Sequence, residues 1–209
     1  FKSKIFICEP ILNENIYSLK KNHPISMKNE IKIIILGGSQ GAQFFDNFVE
    51  ELFIKLPPDL KLSIYQQVHD KNKIEILENK YRNFKIKFEL FTFDTNILGK
   101  ISNCNFAITR CGASTIAELA HLNIPFIGIP FPYSKDNHQF YNAEFYNKKN
   151  CCWLFEQEKI DLVFISNLIK NLSTDNKTYN EKFENLVNMT YQNSWSKINY
   201  KLINLINEN

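Results

Sequence analysis

A chain of 209 residues with 44% hydrophobic and 22% charged side chains has a globular composition, which excludes disorder and suits one ordinary α/β domain or two very small ones. Its 25 Lys and Arg against 22 Asp and Glu leave a formal charge of +3, too weak and too dispersed for a nucleic-acid footprint. No apolar run approaches the ~18–20 residues of a membrane span, and no charged-then-apolar leader opens the chain. Only two of the 25 cations are arginines, a bias read as codon usage before function. Five cysteines (Cys8, Cys104, Cys111, Cys151, Cys152) form no CxxC pair, so they read as reduced, buried thiols of a cytoplasmic protein. Starting at Phe1, the sequence reads as a fragment or as the second half of something longer.

In chain order, short β-branched apolar runs at 4–8, 31–36, 61–67, 85–91, 105–109, 125–129 and 151–155 predict strands. Their near-continuous hydrophobicity predicts burial on both faces, as in a parallel sheet. Helical patterns lie between them at 42–55, 71–80, 95–102, 113–122, 137–149 and 159–171. Strand–helix alternation with short links predicts a Rossmann-like, doubly wound α/β fold. The polar stretch 13–30, with Pro24, reads as a connector, and no repeat or low-complexity tract is present. After Asp175 the sequence turns helical and Asn-rich, with Tyr191, Trp195, Ile198, Leu202 and Leu205 on one face of 191–206. That face packs on its own domain, or docks on a partner domain or a membrane surface. The expected division is 1–30 as linker and first strand, 31–175 as the Rossmann-like domain and 176–209 as carboxyl-terminal helices.

In open parallel sheets ligands sit beyond the carboxyl ends of strands, so unusual strand-to-helix turns mark candidate sites. Three turns are unusual. Gly37-Gly38-Ser39-Gln40-Gly41 holds half of the six glycines and precedes a helix whose N–H groups suit a phosphate. It is neither a Walker A loop nor G-x-G-x-x-G. A tight turn with Ser39 as N-cap is the plainer alternative. Thr109-Arg110-Cys111-Gly112-Ala113-Ser114-Thr115 repeats the arrangement, and the amides around Ala113–Thr115 suit a second phosphate. Glu118, placed in the first helical turn, suits a ribose diol, but Thr115-x-x-Glu118 is equally a capping box that needs no ligand. The third turn, 130–143, holds two prolines, Asp136 as a candidate helix cap, and His138, Gln139 and Asn142 close together on one helix face. Such neutral donors and acceptors suit sugar hydroxyls, or simply an ordinary polar helix start. No Asp-x-Asp and no metal-spaced His, Cys or Glu cluster occurs, so no metal and no cofactor is expected.

Taken together and in order, the three turns resemble the carboxyl-terminal half of the MurG family, from about residue 31 to 155. Those enzymes transfer N-acetylglucosamine from UDP-N-acetylglucosamine to lipid I, giving lipid II in peptidoglycan synthesis. The resemblance implies the second domain of a GT-B glycosyltransferase, inverting and metal-independent. It implies Gly38, Ser39, Gln40 and Gly41, with Ala113, Ser114 and Thr115, at the donor diphosphate. Glu118 would bind the ribose, Phe93 and Asp94 the uracil, and His138, Gln139 and Asn142 the sugar. Leu12 stands where the family usually has an arginine, and Gln66-Gln67-Val68-His69 replaces its usual His-Gln-Ser/Thr-Gly. The acceptor domain and the general base precede this region in the family, so the base is expected upstream or on a partner chain. A lipid-linked acceptor, a peripheral place on the cytoplasmic face of the inner membrane, and roles in cell-wall biogenesis, cell division and cell shape follow from the same likeness. The alternatives are a UDP-sugar hydrolase using His138 as base, and a subunit of a split transferase that docks through 191–206. A dehydrogenase is disfavoured by the glycine pattern and the missing acidic residue after the second strand.

Overall fold

The computed structural model describes residues 10–19, 21, 30–189 and 195–207. The strand expected at 4–8, with Cys8, lies outside the described residues, as does Tyr191. Six parallel strands form one sheet in the order β3-β2-β1-β4-β5-β6. They are β1 (Ile31–Leu36), β2 (Leu62–Gln67), β3 (Lys87–Phe91), β4 (Phe106–Thr109), β5 (Phe126–Gly128) and β6 (Cys152–Leu154). Helices α1 (Gly38–Lys55), α2 (Ile74–Tyr81), α3 (Ile97–Ser102), α4 (Ala113–His121) and α5 (His138–Lys148) join successive strands. After β6 come α6 (Leu162–Thr174), α7 (Lys177–Val187) and α8 (Trp195–Asn207). This is the doubly wound α/β fold that the alternation predicts.

The run of isoleucines in β1 explains its central place. Pleating sends Ile31, Ile33 and Ile35 into a core shared with Phe45, Val49 and Leu52 of α1 and Ile169 of α6. Ile34 and Leu36 point the other way, against Ile116, Ala117 and Ala120 of α4 and Ala143 of α5. A strand with both faces covered has no position for a polar alternation. The edge strand β3 alternates instead, exposing Lys87 and Glu89, which discourages pairing with another chain. Helix α7 spans both layers at the amino ends of the strands. Its Tyr179 and Phe183 join the first core, Leu186 joins the second, and the Tyr179 hydroxyl donates to the Asn105 carbonyl at 3.0 Å.

Several boundaries differ from the sequence pattern, each for a local chemical reason. Helix α1 begins at Gly38, because only Gly38 needs a left-handed φ (+64°) and the rest of the glycine stretch winds as helix. Helix α6 begins at Leu162, where the Asp161 carboxylate accepts from the Val163 and Phe164 N–H groups at 2.9 and 3.0 Å. The expected cap Asp136 instead takes φ +51°, and Asn137 (φ +53°) stands at the α5 terminus without a side-chain bond. The described start of the polar connector is anchored as well. Leu12 and Ile16 are buried in the second core, around a 3-10 turn at Glu14–Ser18. On α8, Ile198 is buried while Leu202, Tyr200, Ile203 and Ile206 are exposed, and the Ser196 N–H donates to Glu14 Oε1 at 3.3 Å. Among the described residues no helix is long and apolar enough to cross a membrane.

Candidate functional site

The chain runs outward from β1 to β3 and then returns to β4 beside β1, so the loops after these two central strands diverge. That divergence opens a crevice at the carboxyl edge of the sheet. A cavity of about 410 Å³ occupies it, reaching from the β3–α3 loop across both glycine turns to α5. Its floor is apolar, from Leu36, Phe91, Ile97 and Ile101.

The first wall is the turn Gly37-Gly38. The Gly38 N–H donates to Gln67 Oε1 at 3.0 Å, and Gln67 Nε2 donates to the Thr92 carbonyl at 3.3 Å. Gln67 thus ties the α1 terminus to the end of β3. A Cβ placed on Gly38 would meet no atom within 4 Å, so the requirement for glycine there is conformational. Ser39, Gln40 and Gly41 fall in the first turn of α1, and their side chains lie outside the described set.

The second wall is the start of α4. Gly112 is its N-cap, no side chain caps it, and the first helical bond runs from the Ile116 N–H to the Gly112 carbonyl. The N–H groups of Ala113, Ser114 and Thr115 therefore have no acceptor among the described residues, and the positive end of the helix dipole is bare. The capping box does not form. Thr115 is the third helical residue, and Glu118 lies in the second turn, not the first. Thr115 and Glu118 line the cavity. The Glu118 carboxylate makes no hydrogen bond or ion pair among the described residues, and burial alone lifts it to about 7.

The third wall comes from the β5–α5 loop. Gln139 lines the cavity, with Oε1 accepting from the Phe131 N–H at 2.9 Å. His138 and Asn142 do not line it. His138 Nδ1 lies 2.7 Å from the Lys135 carbonyl, and Asn142 Nδ2 donates to the Cys111 carbonyl at 3.1 Å, bracing the turn before Gly112. At the opposite end, Phe93 (79% exposed) and Asp94 form the rim. Asp94 accepts from the Asn96 N–H at 2.7 Å and pairs with Lys100 at 2.9 Å, which holds its carboxyl below the usual range.

Three contributors were not singled out from the sequence. Arg110 lines the cavity although it is 4% exposed. Among the described residues it makes no ion pair, donates to the Ile129 and Pro130 carbonyls and to Gln157, and leaves Nε buried without a partner. Gln67 and Thr109 also line the cavity. The scarcity of arginine in the chain was the available signal for Arg110. The two departures from the family pattern fall differently: Leu12 belongs to the core, whereas Gln66 joins a buried network. In that network Gln66 accepts from the Tyr81 hydroxyl at 2.8 Å and donates to Asp46 at 3.4 Å.

Fold and site together define a Rossmann-like domain with a crevice at its switch point, walled by the starts of two helices, of which that of α4 is uncapped. The chain belongs to the family of glycosyltransferase family 28 C-terminal domains, whose profile matches residues 32–197. It is 40% identical over 209 residues to the UDP-N-acetylglucosamine–N-acetylmuramyl-(pentapeptide) pyrophosphoryl-undecaprenol N-acetylglucosamine transferase of Pelagibacter ubique strain HTCC1062, covering 100% of this chain and 58% of that protein. Among solved structures, the MurG of Acinetobacter baumannii superposes with a TM-score of 0.71 at 19% identity, over 91% of this chain and 56% of that one. The glycosyltransferase VinC in complex with dTDP gives 0.62 at 10% identity, over 96% of this chain and 46% of that one. The chain thus spans little more than half the length of the curated relative it matches.

Proposed function

We propose that this chain is the donor-binding half of an N-acetylglucosaminyltransferase, which takes UDP-N-acetylglucosamine and serves the step from lipid I to lipid II. The observation that carries this reading is the unpaired Glu118 carboxylate, set in a crevice between the glycine turn of α1 and the uncapped N-terminus of α4. A nucleoside diphosphate has the complementary chemistry: a diol for the carboxylate and two phosphates for the helix ends. Carboxylate and phosphates would repel one another if crowded, so they belong at separate points of the crevice. The amides of Ala113, Ser114 and Thr115 and the Gly38–Gly41 turn receive the diphosphate, Glu118 the ribose and the Phe93–Asp94 rim the uracil. Gln139 reads the sugar, with His138 and Asn142 bracing the surrounding loops. The named activity of the Pelagibacter relative supports the choice of sugar.

In this reaction the acceptor 4-hydroxyl attacks the sugar C1 as the bond from C1 to the phosphate oxygen breaks, with inversion. UDP leaves with the bonding electrons, and the helix ends that face the crevice stabilise the negative charge it gains. The acceptor's proton passes to a base outside residues 1–209, on an amino-terminal domain that also holds the lipid-linked acceptor at the cytoplasmic membrane face. Residues 31–175 form the donor domain, 1–30 the link to the acceptor domain and 176–209 the helices that follow. His138 does not line the crevice, which counts against the hydrolase reading that used it as base.

Titration calorimetry of the chain with UDP-N-acetylglucosamine and UDP-N-acetylgalactosamine tests the reading. Saturable binding that prefers the gluco sugar, weakened at least tenfold by Glu118→Ala, is expected, given ~1.5–3 kcal/mol for hydrogen bonds to a charged group. A folded wild-type chain that binds neither nucleotide sugar would reject it.

A further inference from the structure

Arg110 is a buried cation without an anion among the described residues, beside a crevice that the donor-site reading fills with a diphosphate. Two uses compete: the guanidinium offers charge to the ligand, or it braces the protein. Its bonds favour the brace. Nη1 donates to the carbonyls of Ile129 and Pro130 at 3.0 and 3.1 Å, and Nη2 to Gln157 Oε1 at 2.5 Å. The rings of Phe44, Phe45 and Phe131 surround the guanidinium carbon at 4.6, 5.3 and 5.6 Å. Both terminal nitrogens are therefore engaged by the protein, and aromatic faces supply the compensation that a carboxylate would otherwise give.

The Pro130 carbonyl belongs to the same peptide unit as the Phe131 N–H, and that N–H donates to Gln139 Oε1 at 2.9 Å. A peptide unit is planar, so holding its oxygen also aims its hydrogen. A backbone N–H only donates, so the Gln139 amide must turn its oxygen toward it. The Gln139 NH₂ group then has no partner among the described residues, and Gln139 lines the cavity. A cation on the carbonyl also polarises the peptide and strengthens the N–H as a donor.

We propose that Arg110 is a positioning residue: through the Pro130–Phe131 peptide it fixes the Gln139 amide so that the sugar meets an N–H donor and not an acceptor. The inference rests on the donor-site reading and deepens it, assigning Gln139 to a sugar oxygen that accepts.

The test is calorimetry on the full chain with UDP and with UDP-N-acetylglucosamine, each protein first checked by thermal melting. Arg110→Lys keeps the charge but lacks the fork needed for three acceptors. It is expected to weaken UDP-N-acetylglucosamine about tenfold, the scale of one well-placed hydrogen bond, while changing UDP less than twofold. In a Gln139→Ala background it should add nothing. Equal losses for UDP and the nucleotide sugar, or a full Arg110→Lys effect without Gln139, would overturn the inference. Gln139→Glu still accepts from Phe131 but offers the sugar no donor, so it should match Gln139→Ala; wild-type affinity there would also overturn it. If Arg110→Lys does not fold, Gln157→Met leaves the cation but removes one anchor, and the same UDP-sparing loss is expected. Loss of both ligands in that variant counts against the brace. A wild-type chain that binds UDP in neither form rejects the donor site, and the inference falls with it.

Discussion

At the residue scale the decisive group is Glu118, whose carboxyl is lifted from 4.5 to about 7 by burial without a partner. The folded chain therefore holds this proton more tightly than the unfolded chain does. Its stabilising effect is complete below the unfolded value and is lost as pH rises from about 4.5 to about 7. Glu118→Gln is accordingly expected to match wild type near pH 4.5. At pH 8 it should be more stable by about 2 kcal/mol, a figure reduced for the side chain's partial exposure, in urea unfolding at each pH. Ligand binding carries the opposite sign. If the ionised carboxylate accepts from the ribose hydroxyls, wild-type affinity should rise between pH 6 and 8, while that of Glu118→Gln stays flat. From spacing alone Glu118 stood evenly between ribose ligand and capping box, and the family resemblance implied the ribose. The structure removes the capping box, because glycine holds the cap position three residues before Thr115.

At the scale of elements, the two glycine turns look alike in sequence but use glycine for different reasons. Gly38 has φ +64°, where any other L-residue is strained by ~1–2 kcal/mol. Gly112 has an ordinary φ of −63°, and a Cβ there would meet nothing within 4 Å. Gly38→Ala should therefore lower the melting temperature, whereas Gly112→Ala should leave stability within ~0.5 kcal/mol of wild type. The added methyl at Gly112 still intrudes on the crevice, so that variant should bind UDP-N-acetylglucosamine more weakly in calorimetry. Wild-type affinity would show that the α4 turn is not a ligand wall. Elsewhere Asp161→Ala is expected to cost ~1 kcal/mol in urea unfolding, since its carboxylate caps two N–H groups of α6. A third glycine packs: a Cβ on Gly128 would lie 2.8 Å from Cys111 Sγ. Gly128→Ala should thus destabilise by ~1–3 kcal/mol, and Cys111→Ala should relieve part of that in the double variant.

At the scale of the whole molecule, Cys104, Cys111, Cys151 and Cys152 are all buried and unpaired. Burial pushes the thiols of Cys104 and Cys152 up to about 12 and that of Cys151 to about 11. Iodoacetamide at pH 8 should leave these four unmodified in the native chain and alkylate them in urea, as read by peptide mass spectrometry. The sequence by itself determined the parallel α/β class, because strands covered on both faces must be continuously apolar, and β1 reads as such a run. It also determined that two glycine-bearing turns follow β1 and β4, since backbone freedom belongs to the residue itself. Which of the polar residues meet was decided by tertiary structure. The order β3-β2-β1-β4-β5-β6 sets the ends of β1 and β4 side by side, although Leu36 and Thr109 are 73 residues apart. It also delivers to Arg110 acceptors that lie 19, 20 and 47 residues further along the chain. Helix α5 shows the same division. Spacing grouped His138, Gln139 and Asn142, but packing turned Gln139 toward the crevice and the other two toward backbone carbonyls. Periodicity and glycine act within a few bonds of the chain, whereas a crevice is made by segments that only the folded sheet brings together.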